Sequence, residues 1–169
     1  MLRQAKFLAC FSGIFSLNFW LVDMLEITRE HVIAMAHRLY DYNGCCERLH
    51  GHNYRIAVTL AANKLNHHGM IADFALLKEV LFGALDNAWD HRTLLFERDP
   101  LCASLAKLDD GSLCVVGFNP TAENMAAYLG EKFFPAVMRD AALPADLRVV
   151  AVAVYETDKN YAKWSSETT

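Results

Sequence analysis

Two neighbouring stretches of the sequence have the residue pattern of β-strands, and the short link between them restricts how the chain folds. Residues 25–40 first alternate between apolar and polar side chains and then become apolar, as a strand that enters a core does. Residues 53–62 are rich in β-branched side chains and follow His50-Gly51-His52 directly. Because only a short loop with the turn sequence Tyr42-Asn43-Gly44 separates the two strands, their ends are predicted to lie side by side.

The remaining sequence predicts two helices and further extended segments. Asp73 is a candidate helix N-cap, and Pro120-Thr121 precedes a second helix. The predicted buried stripes are Phe74, Leu77, Leu81 and Leu85 in the first helix and Met125, Leu129, Phe133 and Val137 in the second. Extended segments are predicted at residues 113–118, 148–156 and 161–165. This order favours an α+β domain, in which two helices cover one face of an antiparallel sheet whose exposed edges invite pairing between subunits.

Composition narrows the class of protein further. The chain has 169 residues, of which 54% are hydrophobic, so it is long enough for one domain with a substantial core. Its formal net charge of −4 and scattered basic residues give no footprint for nucleic acid or an anionic membrane. Five cysteines without C-x-x-C spacing favour a reducing cytoplasmic location over a disulfide framework.

The first 23 residues differ from the rest of the chain. Arg3 and Lys6 precede an apolar run over residues 7–22, a pattern that resembles a signal peptide. The run is short for a membrane span, Asn18 interrupts it, and no small-x-small cleavage site follows. We therefore expect residues 1–23 to be a leader outside the fold and residues 24–169 to form a single domain, with export or anchoring as the alternative.

The strongest local signal for chemistry is His50-Gly51-His52. Residues i and i+2 of a strand project from the same face, about 6–7 Å apart along the chain. Two imidazoles at this spacing can both reach a zinc ion, at about 2.0–2.1 Å from each nitrogen. His37 ends the first strand and is the candidate third ligand, which would leave one open coordination position, as catalytic zinc sites have. His31, His67 and His68 are interpreted as structural or loop histidines.

Four further side chains are candidates for acid, base or binding roles. Cys46 lies four residues before His50 and can act as a thiolate base near zinc, although composition alone favours a small buried or loop side chain. Its neighbour Glu47 is an alternative base. Asp90-His91 can form a proton shuttle in which the carboxylate sets the histidine tautomer, but adjacent residues of one strand or helix are not expected to hydrogen-bond each other well.

Glu156 ends an otherwise apolar strand, where an ionised carboxylate is costly unless it is paired. A heterocycle with two adjacent N–H donors is one suitable partner, and a structural salt bridge is the other.

Six motifs occur in the order found in the 6-pyruvoyltetrahydropterin and 6-carboxytetrahydropterin synthases. They are M-A-H-R-L (35–39), C-E-R-L-H-G-H-N-Y (46–54), G-M-I-A-D-F (69–74), W-D-H-R-T-L (89–94), N-P-T-A-E-N (119–124) and Y-E-T (155–157). The chain therefore resembles this family over about residues 24–165. The resemblance implies a tunnelling fold, in which trimers close a β-barrel and two trimers stack into a homo-hexamer.

The resemblance also implies roles for individual residues. Zinc would be bound by His37, His50 and His52, and Cys46 would be the catalytic base. Asp90 and His91 would come from a neighbouring subunit. A pterin ring would be anchored by Glu156, in a pocket lined by Thr121 and Glu123 near a subunit boundary.

The implied substrate is 7,8-dihydroneopterin triphosphate, and the spacing of Cys46 resembles the bacterial branch that forms 6-carboxy-5,6,7,8-tetrahydropterin for queuosine and related deazapurines. A 6-pyruvoyltetrahydropterin synthase activity is an alternative. Because Glu47 also matches an E-x-x-H-G-H branch that uses glutamate as its base, cleavage of dihydroneopterin to 6-hydroxymethyl-7,8-dihydropterin for folate is another. A pterin-binding zinc module without turnover is the non-enzyme alternative, and a hydrolase built on three histidines would leave Glu156 unexplained.

Overall fold

A mixed sheet of six strands organises the domain in the computed structural model, which describes residues 25–108 and 111–167. The strands are β1 (Leu25–His37), β2 (His50–Ala62), β3 (Thr93–Phe96), β4 (Leu113–Val116), β5 (Arg148–Tyr155) and β6 (Tyr161–Ser165). Their order across the sheet is β4-β3-β1-β2-β5-β6. The predicted leader and its boundary with the domain lie outside the described residues.

The prediction of an antiparallel sheet is correct for four strands and wrong for the other two. β1 pairs with β2, β2 with β5 and β5 with β6 in antiparallel fashion. β3 pairs in parallel with both β1 and β4. Because β3 has only four residues and is largely apolar, it carries no alternation that sequence periodicity could detect.

Two long helices cover one face of the sheet, as predicted, and a short third helix was not foreseen. Helix α1 consists of Phe74–Leu77, a π-helical segment Lys78–Phe82 and Gly83–Trp89. Helix α2 is Leu101–Leu105, extended by a 3-10 turn at Ala106–Leu108. Helix α3 consists of Ala122–Tyr128, a π-helical segment Leu129–Phe133 and Phe134–Asp140. The predicted N-cap Asp73 is confirmed, since its side chain accepts a hydrogen bond from Ala75 N. The second helix begins after Pro120-Thr121, as predicted, and Thr121 is its N-cap, with a side chain that accepts from Asn124 N.

The π-helical segment of α3 changes which side chains enter the core. Met125 and Leu129 are fully buried, as predicted, but Phe134 and Met138 then take the buried positions expected for Phe133 and Val137. A π-helical turn accommodates one more residue than an α-helical turn, so the buried stripe moves by one position. In α1 the predicted stripe holds except at Phe74, which is exposed.

Side chains of alternate residues on β1 and β2 form the sheet side of the core. Ile33 and Met35 on β1 and Tyr54 and Ile56 on β2 are buried against the two long helices. By strand alternation, His37, His50 and His52 belong to this same face. The packing therefore places the histidines at the end of the core rather than on the open face of the sheet.

The close approach of α3 to β6 provides a test of the fold. A Cβ atom added at Gly130 would lie 2.1 Å from Cε3 of Trp164, whose Nε1 donates to Glu131 Oε1 at 3.0 Å. We expect Gly130→Ala to lower the free energy of unfolding by about 1–3 kcal/mol, because the ring must move out of a packed position.

The matched control is Gly83→Ala in α1, where an added Cβ meets no atom within 4 Å. This variant should be as stable as the wild type or slightly more stable, because alanine favours helix over glycine. Urea denaturation measures both variants, and equal stabilities for the two would contradict the described packing.

Candidate metal centre

The register of β1 and β2 brings three histidines together at the ends of the two strands. His37 lies directly opposite His50, and His52 lies opposite Met35 on the same face. The ring centroids of His37 lie 4.6 Å from His50 and 5.4 Å from His52, and those of His50 and His52 are 5.0 Å apart. One nitrogen of each ring lies within 4.8 Å of those of the others. The predicted three-histidine cluster is therefore present.

The glycine between the two histidines of β2 allows this close pairing. A Cβ atom at Gly51 would lie 3.0 Å from the carbonyl oxygen of Met35 and 3.5 Å from Cα of Ala36. Any larger side chain would press on the backbone of β1, since 3.0 Å is closer than Cβ atoms normally approach.

Backbone carbonyl groups orient two of the rings. His37 Nδ1 donates to the carbonyl of Pro120 at 2.7 Å, and His50 Nδ1 donates to the carbonyl of Arg48 at 2.7 Å. A donating Nδ1 leaves Nε2 as the atom with a free lone pair, which is the arrangement found when a metal-bound histidine is held from behind. His37 Nε2 is buried without a hydrogen-bond partner among the described residues, and the Glu156 carboxylate lies 4.0 Å from it.

Burial favours the neutral form of His37 and His52. It lowers the pKa of His37 to about 4, against the opposing hydrogen bond to Pro120 and with smaller contributions from His50 and His52. Burial also lowers the pKa of His52, although the negative charge of Glu156 opposes that change. A metal ion binds the neutral imidazole. Because this environment disfavours protonation of the ring, it leaves the ring nitrogens available to a metal cation. Three imidazole nitrogens and one unpartnered buried lone pair fit a divalent ion such as zinc.

Cys46 and Glu47, the two candidate bases, lie in a 3-10 turn over Cys45–Glu47 and differ in exposure. Cys46 is half-buried, and its carbonyl oxygen accepts from Leu39 N at 2.8 Å, which ties the turn to the end of β1. Glu47 is exposed. Contact with Cys45, whose Sγ lies 3.8 Å from Sγ of Cys46, raises the pKa of the Cys46 thiol, and burial and the charge of Glu156 add to this effect.

Asp90 and His91 follow α1 and, contrary to expectation, hydrogen-bond each other within one chain. His91 Nδ1 donates to Asp90 Oδ2 at 2.8 Å, while Asp90 Oδ1 accepts from Ala34 N at 2.8 Å. The expectation was wrong because His91 lies in neither a strand nor a helix and has a left-handed backbone, with φ of 56°. Burial favours a higher pKa for Asp90, but these hydrogen bonds hold its pKa below the ordinary value.

The His91 ring is largely exposed in the single chain. Its side chain is 82% exposed. It lines a groove of about 480 Å³ together with residues of β1 and β2, among them Ala34, Ala36 and Gly51. The Asp90–His91 pair is therefore already formed within one chain. The exposed side of the His91 ring has no partner among the described residues.

The three predicted binding residues have different surroundings. Glu156 directly follows β5, its backbone N–H donates to Asn160 O at 3.1 Å, and its half-buried carboxylate faces His37. Thr121 has a structural task as the N-cap of α3, because its hydroxyl accepts from Asn124 N at 3.2 Å. Glu123 is exposed in the first turn of that helix. Of the three, Glu156 is in direct proximity to the cluster, with its carboxylate 4.0 Å from His37 Nε2.

Sequence reasoning missed two sets of residues that hold the centre in place. The Asn119 side chain accepts from Tyr40 N at 2.9 Å and donates to Tyr40 O at 2.8 Å, so it ties the segment before α3 to the loop after β1. Arg38 forms a bidentate ion pair with the buried Asp99, with both N···O distances 2.5 Å. The only signal for Asn119 was its place in the N-P-T-A-E-N motif, and Asp99 had none.

The fold and the site together define an α+β protein with a candidate metal centre, and comparison with known proteins identifies its family. None of the described helices is long and apolar enough to cross a membrane. Residues 26–167 match the 6-pyruvoyl tetrahydropterin synthase family, so the chain belongs to this lyase family.

Several relatives are similar along most of their length. A 6-carboxy-5,6,7,8-tetrahydropterin synthase of Rickettsia typhi is 30% identical over 141 residues, which cover 83% of this chain and 99% of the relative. A probable 6-carboxy-5,6,7,8-tetrahydropterin synthase of Halobacterium salinarum is 37% identical over 136 residues, which cover 79% and 83%. The structure of Caenorhabditis elegans 6-pyruvoyl tetrahydropterin synthase superposes with a TM-score of 0.59 at 25% identity, covering 88% of this chain and 99% of that one.

The low pKa of His37 predicts how the stability of the metal-free protein depends on pH. The folded chain keeps His37 neutral down to about pH 4, whereas the unfolded chain takes up a proton near pH 6.5. The free energy of unfolding should therefore be unaffected by this group above pH 6.5. It should fall as the pH drops from 6.5 towards 4, by an amount on the order of 3 kcal/mol in full.

Urea denaturation at several pH values, with a chelator present, measures this dependence. His37→Asn should flatten the dependence, while His67→Asn, in an exposed turn, should leave it as in the wild type. The same pH dependence in His37→Asn and in the wild type would show that His37 is not the group responsible.

Proposed function

We propose that this protein is a zinc-dependent lyase that converts 7,8-dihydroneopterin triphosphate and water to 6-carboxy-5,6,7,8-tetrahydropterin, triphosphate and acetaldehyde. The observation that carries the proposal is the three-histidine cluster around the buried His37, with the Glu156 carboxylate 4.0 Å from His37 Nε2. The relatives named 6-carboxy-5,6,7,8-tetrahydropterin synthase support the choice of product. We propose that this product enters a route to queuosine and related deazapurines and that the enzyme acts in the cytoplasm.

In this proposal Glu156 recognises the ring of the substrate. A pterin presents its 2-amino group and N3–H side by side, and one carboxylate can accept from both. The half-buried position of Glu156 at the end of β5 would strengthen this pairing, because partial exclusion of water makes charge-assisted hydrogen bonds stronger. The side chain of the bound pterin would then lie towards His37, His50 and His52. We propose that Thr121 and Glu123 line the same pocket once a neighbouring subunit completes it.

Cys46 is the proposed base, in preference to Glu47. Cys46 is half-buried, whereas Glu47 is exposed. The negative charge of Glu156 also contributes to the raised pKa of the Cys46 thiol. Zinc held by the three histidines would supply the positive charge that makes both the Cys46 thiol and the substrate hydroxyls easier to deprotonate. Cys46 would then accept a proton from the side chain of the substrate.

His91 is the proposed second proton carrier. Because its Nδ1–H donates to Asp90, Nε2 is left free to accept or return a proton. The exposure of His91 supports a role at the active site of a neighbouring subunit, in a homo-hexamer built from two trimers. The strands at the two sheet edges, β4 and β6, leave backbone groups available for pairing between subunits.

Product analysis under anaerobic conditions tests the choice of base. The wild type should convert dihydroneopterin triphosphate to carboxytetrahydropterin, and Cys46→Ala should lower kcat by about 10²–10⁴-fold because the base is lost. The neighbouring substitution Glu47→Gln is the matched control and should leave kcat within a few-fold of the wild type. The assignment is wrong if hydroxymethyldihydropterin from dihydroneopterin is the sole product and Glu47→Gln abolishes it. Freshly purified protein without stoichiometric zinc would contradict the metal centre.

Mixing two inactive variants tests the shared site. Cys46→Ala and His91→Ala should each be inactive alone, and subunit exchange should restore activity at sites that combine one intact Cys46 with one intact His91. Random assembly from equal amounts predicts about a quarter of the wild-type activity, since each half of a site is intact in half of the chains. Mixtures that stay inactive after denaturation and joint refolding would place both residues in one subunit's site.

A further inference from the structure

Two adjacent cysteines in the turn before β2 have their sulfur atoms in contact. Cys45 and Cys46 lie in the 3-10 turn Cys45–Glu47, and their Sγ atoms are 3.8 Å apart. Both thiols are free, and Cys45 is exposed whereas Cys46 is half-buried. The proposed reaction uses Cys46 alone, so it leaves the second thiol of this contact without a role.

Backbone hydrogen bonds hold the turn that carries the two thiols. Glu47 N donates to the carbonyl oxygen of Gly44 at 3.1 Å. The carbonyl oxygen of Cys46 accepts from Leu39 N at 2.8 Å, which ties the turn to the chain just after β1. The contact between the two sulfur atoms therefore belongs to an ordered part of the fold beside the histidine cluster.

The other described cysteines are placed differently. Cys102 Sγ donates to the carbonyl oxygen of Phe96 at 3.3 Å, and Cys114 packs against the hydrophobic core. Within residues 25–108 and 111–167, Cys45 and Cys46 are thus the pair of thiols whose sulfur atoms touch.

We propose that Cys45 and Cys46 form a redox pair, in which a peroxide converts the two thiols to a reversible disulfide and so removes the proposed base Cys46. The exposed thiol of Cys45 attacks the O–O bond of hydrogen peroxide, becomes a sulfenic acid and releases one water molecule. The sulfur of Cys46 then attacks the sulfenic sulfur, so that the S–S bond forms, the S–O bond breaks and a second water molecule leaves. The two thiols together lose two electrons and two protons, which reduce the peroxide to water.

The fold makes this disulfide easy to reduce. The Cα atoms of adjacent residues are about 3.8 Å apart, which is shorter than the usual span of about 4.4–6.8 Å between disulfide-linked residues. Such strain makes a disulfide more reducible, and strained or exposed disulfides are the labile ones. A dithiol reductant therefore restores both thiols by exchange and is itself oxidised to a disulfide.

The loss of turnover in this inference rests on the proposed function, whereas the disulfide itself does not. A sulfur atom in a disulfide cannot accept the proton that a Cys46 thiolate would take from the substrate. The candidate zinc ligands are nitrogen atoms of His37, His50 and His52, which this oxidation leaves unchanged. The oxidised protein should therefore be inactive but keep its metal.

Peptide mapping of the peroxide-treated, zinc-loaded protein tests the disulfide without turnover. Trypsin cleaves after Arg38 and Arg48, so both cysteines lie in one peptide, residues 39–48. On alkylation of the digest, this peptide should take up two alkyl groups when it comes from reduced protein. It should take up none from oxidised protein, where it should be lighter than the dithiol peptide by two hydrogen atoms. Two alkyl groups at a peroxide dose that abolishes turnover, or a link to a second peptide, would overturn the inference.

Turnover measured after the peroxide has been removed tests the consequence for activity. The activity of the wild type should fall in proportion to its disulfide content, and dithiothreitol should restore it while the zinc content stays constant. The matched control Cys45→Ser should be active when reduced. With its partner thiol missing, prolonged peroxide should oxidise Cys46 to sulfinic acid, so dithiothreitol should restore less than about half of the lost activity. Equal recovery of both proteins would overturn the pairing.

The peptide masses separate failure of this inference from failure of the proposed function. A disulfide that forms while turnover stays at the level of the reduced protein would overturn the regulatory role of the pair. A reduced wild type that forms the disulfide with peroxide but makes no carboxytetrahydropterin would overturn the proposed function and still support the redox pair.

Discussion

The antiparallel pairing of β1 with β2 is the constraint on which the rest of the site depends. Its register sets His37 directly opposite His50, and a slip by one residue would turn a whole strand's side chains to the other face. Gly51 permits this register because the strand backbones approach so closely that a Cβ would lie 3.0 Å from Met35 O. The same pairing buries Tyr54 and Ile56 beneath the helices. One backbone arrangement therefore serves both the core and the metal centre.

Segments far apart in sequence hold the ends of these strands. The carbonyl of Pro120, just before α3, accepts from His37 Nδ1, and Asn119 clamps the backbone of Tyr40. The buried ion pair between Arg38 and Asp99 adds a further tie beside His37. Although burial raises the pKa of Asp99 by itself, hydrogen bonds from Arg38 and from Leu101 N hold that pKa below its ordinary value. Such contacts restrict the imidazole orientation before any ligand arrives, which favours a preorganised centre.

The electrostatics of the single chain favour binding of a divalent cation at the three histidines. Burial favours neutral imidazoles at His37 and His52, and the Glu156 carboxylate lies 4.0 Å from His37 Nε2. One divalent cation would bind the imidazole lone pairs and stabilise the nearby carboxylate. It would also favour the thiolate of Cys46, whose thiol pKa is raised by Cys45, by burial and by Glu156. This donor set is why we propose a zinc enzyme acting on a hydroxylated pterin.

The sequence by itself determined the local features: the strands around His50-Gly51-His52, the N-cap Asp73, the start of the second long helix, the three-histidine cluster and, through its motifs, the family. Each depends on neighbouring residues or on a periodicity that local chemistry imposes. Only the tertiary structure decided that the sheet is mixed, because the pairing of β3 with β1 and β4 is a long-range choice. It also revealed the one-residue shift of the buried stripe in α3 and the internal Asp90–His91 hydrogen bond. These depend on which atoms meet after packing, and no spacing along the chain encodes that.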